Sequence, residues 1–124
     1  MKYLCLIYRD ETLARAMSRS DGQAMMAEYG VFTESIRKSG HYLNGNPLQP
    51  VAAATTVRVR DGKVSATDGP FAETREQLGG YYLINASDLD DAIRVAARIP
   101  AARDGSIEVR PILEFDQAQA QPRG

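Results

Sequence analysis

The sequence predicts an α+β domain whose four core strands and two helices follow one another as βαββαβ, with a β-hairpin inserted before the third core strand. Three observations predict it. Met25, Tyr29, Phe32 and Ile36, and later Leu89, Ala92, Ile93, Ala96 and Ile99, recur at the spacing of amphipathic helices. Short apolar runs at residues 2–8, 81–86 and 106–113 read as strands. Asp61-Gly62 separates two further extended segments, which is a strong signal for a two-residue hairpin turn.

Taken in order, residues 2–8 are short and dense in aromatic and aliphatic side chains, as suits a central strand. Residues 12–19 fit either a short helical piece or a loop. Ser20 with Gln23 has the capping-box spacing, Arg37 and Lys38 suit the last turn of a helix, and Gly40 stops it, so a helix is predicted over 21–39. His41-Tyr42-Leu43 begins another extended segment that Asn44-Gly45-Asn46-Pro47 interrupts. Thr55, Val57 and Val59 then alternate with Thr56, Arg58 and Arg60, and residues 63–67 return after the Asp61-Gly62 turn. Beyond the 81–86 strand, Ser87 serves as N-cap of a second helix. Asp88, Asp90 and Asp91 load its first turn and Pro100 ends it. Residues 101–105 form a loop, and the final strand turns Ile107 and Val109 inward.

Without its hairpin this order is the ferredoxin-like arrangement. Two helices cover only one face of a four-stranded antiparallel sheet. Pairing two sheets face to face hides the other, so a homodimer is expected.

Composition narrows the function. The chain has 124 residues, enough for one domain, taken as 1–115, followed by a frayed tail over 116–124. Its net charge is −1 with interspersed bases and acids, which argues against direct nucleic-acid binding. There is no apolar run of membrane-spanning length and no signal-like start, so a cytoplasmic location is expected. The single cysteine, Cys5, sits among Tyr3, Leu4, Leu6 and Ile7 and reads as a buried apolar residue. No glycine pattern for nucleotide phosphates is present, since Gly79-Gly80 is only a pair. The aspartates at 88, 90 and 91 read as helix chemistry, and no metal site is expected.

The densest stretch for chemistry is 67–84. Asp68 can accept backbone hydrogen bonds, Gly69 can take positive φ, and Pro70 fixes the chain, so a sharp turn is expected. Phe71 is expected to pin that turn to the core. Glu73, Thr74, Arg75, Glu76 and Gln77 suit a single helical turn ended by Gly79 and Gly80, before the strand that carries Tyr81 and Tyr82.

Asp68-Gly69-Pro70-Phe71-Ala72-Glu73-Thr74, followed by Glu76-Gln77-Leu78-Gly79-Gly80-Tyr81-Tyr82-Leu83-Ile84, closely resembles the signature of the DGPF-domain branch of the YCII-related family. The resemblance extends from Met1 to Pro111. It implies a ferredoxin-like protomer paired into a dimeric α/β barrel, and association of such proteins with extracytoplasmic-function sigma factors. One departure is visible. The wider family is associated with a histidine in its first helix paired with an aspartate, whereas this helix offers Glu28 and Tyr29. The only histidine, His41, follows that helix and reads as structural or surface.

Two functions fit. In the first, a cofactor-independent isomerase, lyase or dehalogenase-like enzyme binds a small molecule beside the turn. Asp68 is its catalytic acid or base, and Glu73 or Glu76 is a second carboxylate. Tyr81 or Tyr82 orients a substrate oxygen, and Gly69, Pro70 and Phe71 complete the binding site. In the second, the chain is a non-catalytic module that senses a ligand or binds a partner, associated with a sigma factor. Arg58 and Arg60 offer an anion-binding edge, although charges on such a strand face are ordinarily just solvated.

Overall fold

Strand β1 (Lys2–Arg9) runs between two antiparallel neighbours, and its strict alternation decides which face of the sheet becomes the core. Tyr3, Cys5 and Ile7 point to the helices and are buried, while Leu4, Leu6 and Tyr8 point to the opposite face and are half-buried. The computed structural model describes residues 1–115, and the tail expected over 116–124 lies outside them.

After β1 the chain forms α1 (Glu11–Ala16), α2 (Arg19–Lys38), β2 (Tyr42–Pro47), β3 (Thr55–Arg60), β4 (Lys63–Asp68), β5 (Gln77–Asn85), α3 (Leu89–Ala96) and β6 (Ser106–Pro111). Four strands make an antiparallel sheet in the order β2-β5-β1-β6, and β3 pairs with β4 in a separate two-stranded sheet. This mixed α+β architecture is compatible with the ferredoxin-like arrangement. Phe32 and Ile36 of α2, and Ala92, Val95 and Ala96 of α3, close over Tyr3, Cys5, Ile7, Tyr82 and Ile84 in one apolar cluster. Burying side chains of this size stabilises by roughly 1.5–3 kcal/mol each for the larger aliphatic and aromatic ones.

Local chemistry explains where elements depart from the sequence reading. Helix α2 begins two residues earlier than expected, because Ser18 takes the extended cap conformation and its hydroxyl accepts from the Asp21 N–H at 3.1 Å. In α3 the cap is Asp88, which accepts from the Asp91 N–H at 2.8 Å, while Ser87 donates its own N–H to the Asp91 carboxylate. The buried stripe of α3 is also rotated from the expected one. Ala92, Val95 and Ala96 lie against the sheet, and Leu89 and Ile93 stand half outside, since the small alanines let the helix approach closely.

Residues 101–105, expected as a loop, include a 3-10 turn, Pro100–Arg103. The short helical piece at the start of the 12–19 segment is α1, capped by Asp10. Asn44-Gly45-Asn46-Pro47 does not break β2 but belongs to it. Gly45 makes this pairing possible, because a Cβ there would sit 2.8 Å from the Tyr82 ring.

Candidate functional site

Both residues of the Asp61-Gly62 turn have positive φ, 52° and 74°, the backbone shape that lets two twisted strands meet over two residues. The resulting register puts Thr55 with Asp68, Val57 with Ala66, and Val59 with Val64 on one face of the hairpin. Arg58, Arg60, Lys63, Ser65 and Thr67 occupy the other. Among the described residues no other element packs extensively against this ribbon, and Val57, Val59 and Val64 are 62%, 57% and 73% exposed.

The hairpin delivers the chain to a sharp turn at Gly69, with φ of 99°. Backbone geometry holds this turn: the Gly69 N–H donates to Ala54 O at 2.7 Å, and the Thr56 hydroxyl donates to Gly69 O at 2.9 Å. Asp68 is exposed, and among the described residues its carboxylate has no hydrogen-bond or ion-pair partner. The turn therefore closes without the side chain that sequence reasoning placed at its centre. Phe71 departs further from expectation. It is 79% exposed and anchors nothing in the core of its own chain.

The expected helical turn over 73–77 is absent, because side chains take the carbonyls that a helix would use. Thr74 donates its hydroxyl to Glu76 O at 2.7 Å, and Gln77 donates its amide to Thr74 O at 2.5 Å. Strand β5 instead starts at Gln77 and runs through both glycines. Gln77 is fixed from a second side, since its Oε1 accepts from the Glu11 N–H at 2.8 Å. Glu11 in turn accepts from the Val51 N–H at 3.0 Å, tying the approach to the hairpin against α1.

Adjacent in sequence, Tyr81 and Tyr82 are separated by the pleat. Tyr81 lies on the open face, where its phenol oxygen accepts from Asn46 Nδ2 at 3.0 Å. Tyr82 is buried under α2, edge-on to Phe32 at 5.2 Å between ring centroids, and shares a 2.6 Å hydrogen bond with the Thr33 hydroxyl. Burial pushes the Tyr82 phenol above its ordinary value. Of the two, only Tyr81 shares a surface with Leu4, Leu6, Tyr8, Leu78 and Leu83. Glu76 is half-buried at one end of that surface, its carboxylate accepting from the Ser106 hydroxyl at 2.7 Å. Glu73 is exposed, and no side-chain partner engages it among the described residues.

Sequence reasoning missed Asn46 and Ser106. Asn46 was hidden in a strand-breaking tetrapeptide, and Ser106 meets Glu76 only through the pairing of β1 with both β5 and β6.

His41 forms a separate cluster. Its Nε2 lies 3.0 Å from Asp91 Oδ2 and its Nδ1 2.7 Å from Ser39 Oγ. The Ser87 N–H, followed by His41, holds the Asp91 carboxyl below its ordinary value. These contacts tie the end of α2 to the start of α3, a structural role for the only histidine, and neither ring nitrogen engages Asp68. Glu28 pairs with Arg103 at 2.6 Å, and Tyr29 packs against the core.

Cys5 is fully buried, and its thiol is pushed up to about 11 by desolvation. Asp88 and Asp91 are engaged in capping, and among the described residues no three His, Cys, Asp or Glu side chains gather as a metal site. No described helix is long and apolar enough to cross a membrane.

The family described as YCII-related domain matches residues 1–116. An uncharacterized protein of Rhizobium meliloti (strain 1021) is similar, 37% identical over 114 residues that cover 90% of this chain and 92% of the relative.

Proposed function

The chain belongs to the YCII-related family, and from that premise and the geometry above we propose that it is a homodimeric, cofactor-independent acid–base enzyme of the DGPF branch. Residues 1–115 act as one unit. Two such units pair sheet to sheet as a dimeric α/β barrel, which covers the open face bearing Leu4, Leu6, Tyr81 and Leu83. A small molecule enters the cleft between sheet and hairpin. Asp68 exchanges a proton with it, Tyr81 orients a substrate oxygen, and Glu73 or Glu76 supplies the second carboxylate. Isomerase, lyase or dehalogenase-like chemistry needs no more than these groups, and the cytoplasm is the expected compartment.

The observation that carries the reading is the Asp68 carboxylate, held at a rigid backbone turn and unused by that turn. A carboxylate required only for folding would be expected to bond the N–H groups beside it.

A thermal-shift screen of metabolites and small anions, run on wild type and Asp68→Asn together, tests the proposal. The expected result is a ligand that raises the melting temperature of the wild type and not that of a mutant with unchanged intrinsic stability. A mutant that melts far lower, with no ligand for either protein, overturns it.

A second reading has its own support. Val31 is 72% exposed on α2 beside the exposed Ala24 and Ala27, on the layer opposite the open face. An apolar patch there suits a partner-binding module associated with an extracytoplasmic-function sigma factor. Binding of a sigma factor by a protein lacking any ligand response would favour it.

A further inference from the structure

Asn46 and Tyr81 stand directly opposite each other on β2 and β5, on the open face of the sheet. The ladder fixes both positions. Gly45 lets β2 lie against the Tyr82 ring, and just beyond the pair the Leu48 N–H donates to Gly79 O at 2.9 Å. Within this frame Asn46 Nδ2 donates to the Tyr81 phenol oxygen at 3.0 Å. A phenol has one proton to give, and a donor seated on its oxygen leaves that proton to be given elsewhere. Among the described residues no acceptor takes it. Tyr82, one residue on, differs, because its hydroxyl is matched by Thr33 in the core.

Tyr81 is half-buried, with Leu6 opposite it on β1 and Leu83 two residues along the same face. An unspent O–H beside apolar side chains suits an acceptor carried on an otherwise apolar small molecule. Strand β2 is an edge of the sheet, so Asn46 draws the hydroxyl toward the rim, away from the leucines that a second copy covers in the proposed dimer.

We propose that Asn46 is a positioning residue that commits the Tyr81 proton to the carbonyl oxygen of a small neutral compound. This rests on the acid–base reading above and adds the class of substrate. Glu76 lies at one end of the same face with the Ser106 hydroxyl as its partner and no cation paired to it among the described residues. A carboxylate ligand would meet like charge there and at Asp68. An ammonium would find the phenol oxygen already occupied by a donor. A neutral carbonyl oxygen meets neither obstacle. The reaction step follows from the same groups: the Asp68 carboxylate takes a proton from the carbon next to the carbonyl, the C–H pair becomes a C=C bond, and the carbonyl π pair moves onto the oxygen, where the Tyr81 O–H stabilises it. Return of the proton from Asp68 to another carbon completes an isomerisation.

The test is NMR of the full chain with ring-13C tyrosine in heavy water. Cyclohexanone is the probe, and cyclohexylammonium is a donor of matching shape. The Tyr81 resonance is identified by its loss in Tyr81→Phe. A saturable shift of that resonance is expected with cyclohexanone and none with cyclohexylammonium. Asn46→Asp is the decisive variant, since its ionised carboxylate accepts the Tyr81 proton and reverses the bond, while its charge does not repel a neutral probe. It should weaken cyclohexanone binding by roughly tenfold, the worth of one hydrogen bond. Asn46→Ala, which leaves the proton free but undirected, should weaken it less. Asn46 is exposed, so neither change disturbs the core. Undiminished binding by Asn46→Asp, no shift with cyclohexanone, or an equal response to cyclohexylammonium overturns the proposal.

The same samples follow deuterium entering the carbons beside the ketone. Exchange faster than in buffer alone, and slowed in Asn46→Asp, is expected. Catalysed exchange that Asn46→Asp leaves unchanged overturns the role of Asn46 and leaves the acid–base reading standing. A Tyr81 shift that depends on Asn46, without catalysed exchange, supports the donor assignment and removes the acid–base reading.

Discussion

Replacing Tyr82 and Tyr81 separately by Phe removes the same atom from neighbouring residues, yet the pleat makes the two changes very different. The Tyr82 hydroxyl shares a 2.6 Å hydrogen bond with Thr33 beneath α2. A net bond of this kind is worth about 0.5–1.5 kcal/mol, and leaving the half-buried Thr33 hydroxyl without its partner puts the loss at the upper end of that range. In a domain of this size that corresponds to a fall in melting temperature of roughly 3–8 °C. The ring itself stays, so its edge-on contact with Phe32 is retained and the fold survives. Tyr81→Phe loses only a hydrogen bond to Asn46 at an exposed site, and a change within about 0.5 kcal/mol is expected. Its effect should fall instead on ligand response. Calorimetric melts of the two variants decide the matter. Equal destabilisation, or a larger loss for Tyr81→Phe, refutes the assignment of Tyr82 to the core and Tyr81 to the open face.

Other consequences can be measured on single variants. Gly105→Ala should be severely destabilising, because its Cβ would fall on the Tyr8 carbonyl, whereas Gly79→Ala meets open space and should be tolerated; urea melts compare them directly. Asp91 has its folded pKa lowered below the ordinary 3.8, so its contribution to stability is present above that value and lost as the pH falls through the folded pKa. Asp91→Asn should therefore show a flatter decline in stability below about pH 4 than wild type in melts across the acid range. The Cys5 thiol, buried with its pKa pushed up to about 11, should resist a thiol reagent at pH 8 in the native protein and react on unfolding.

Much of the fold was legible because it rests on periodicity. The dense apolar run of β1, the Asp61-Gly62 hairpin and the inward stripe of Phe32 and Ile36 are properties of local sequence, and each appears where the sequence places it. What local sequence does not carry is competition between partners. Residues 73–77 have helix formers, but the side chains of Thr74 and Gln77 capture the local carbonyls. Asn44-Gly45-Asn46-Pro47 has the composition of a turn, but β5 presents a complete edge to pair with, and Gly45 leaves space for the Tyr82 ring.

For the candidate site, sequence reasoning misjudged how the 67–84 stretch is supported. Gly69 turns as its residue type demands, whereas Phe71 points away from the core and Tyr82 points into it. The bond between Asn46 and Tyr81, and that between Ser106 and Glu76, link residues 35 and 30 positions apart, which no local pattern encodes.

Everything proposed about the cleft depends on a second chain covering the open sheet face. Sedimentation equilibrium of the full chain at low micromolar concentration measures this most directly. The account predicts a mass of twice 13.6 kDa. A single species of 13.6 kDa, unchanged as the concentration is raised, would contradict it.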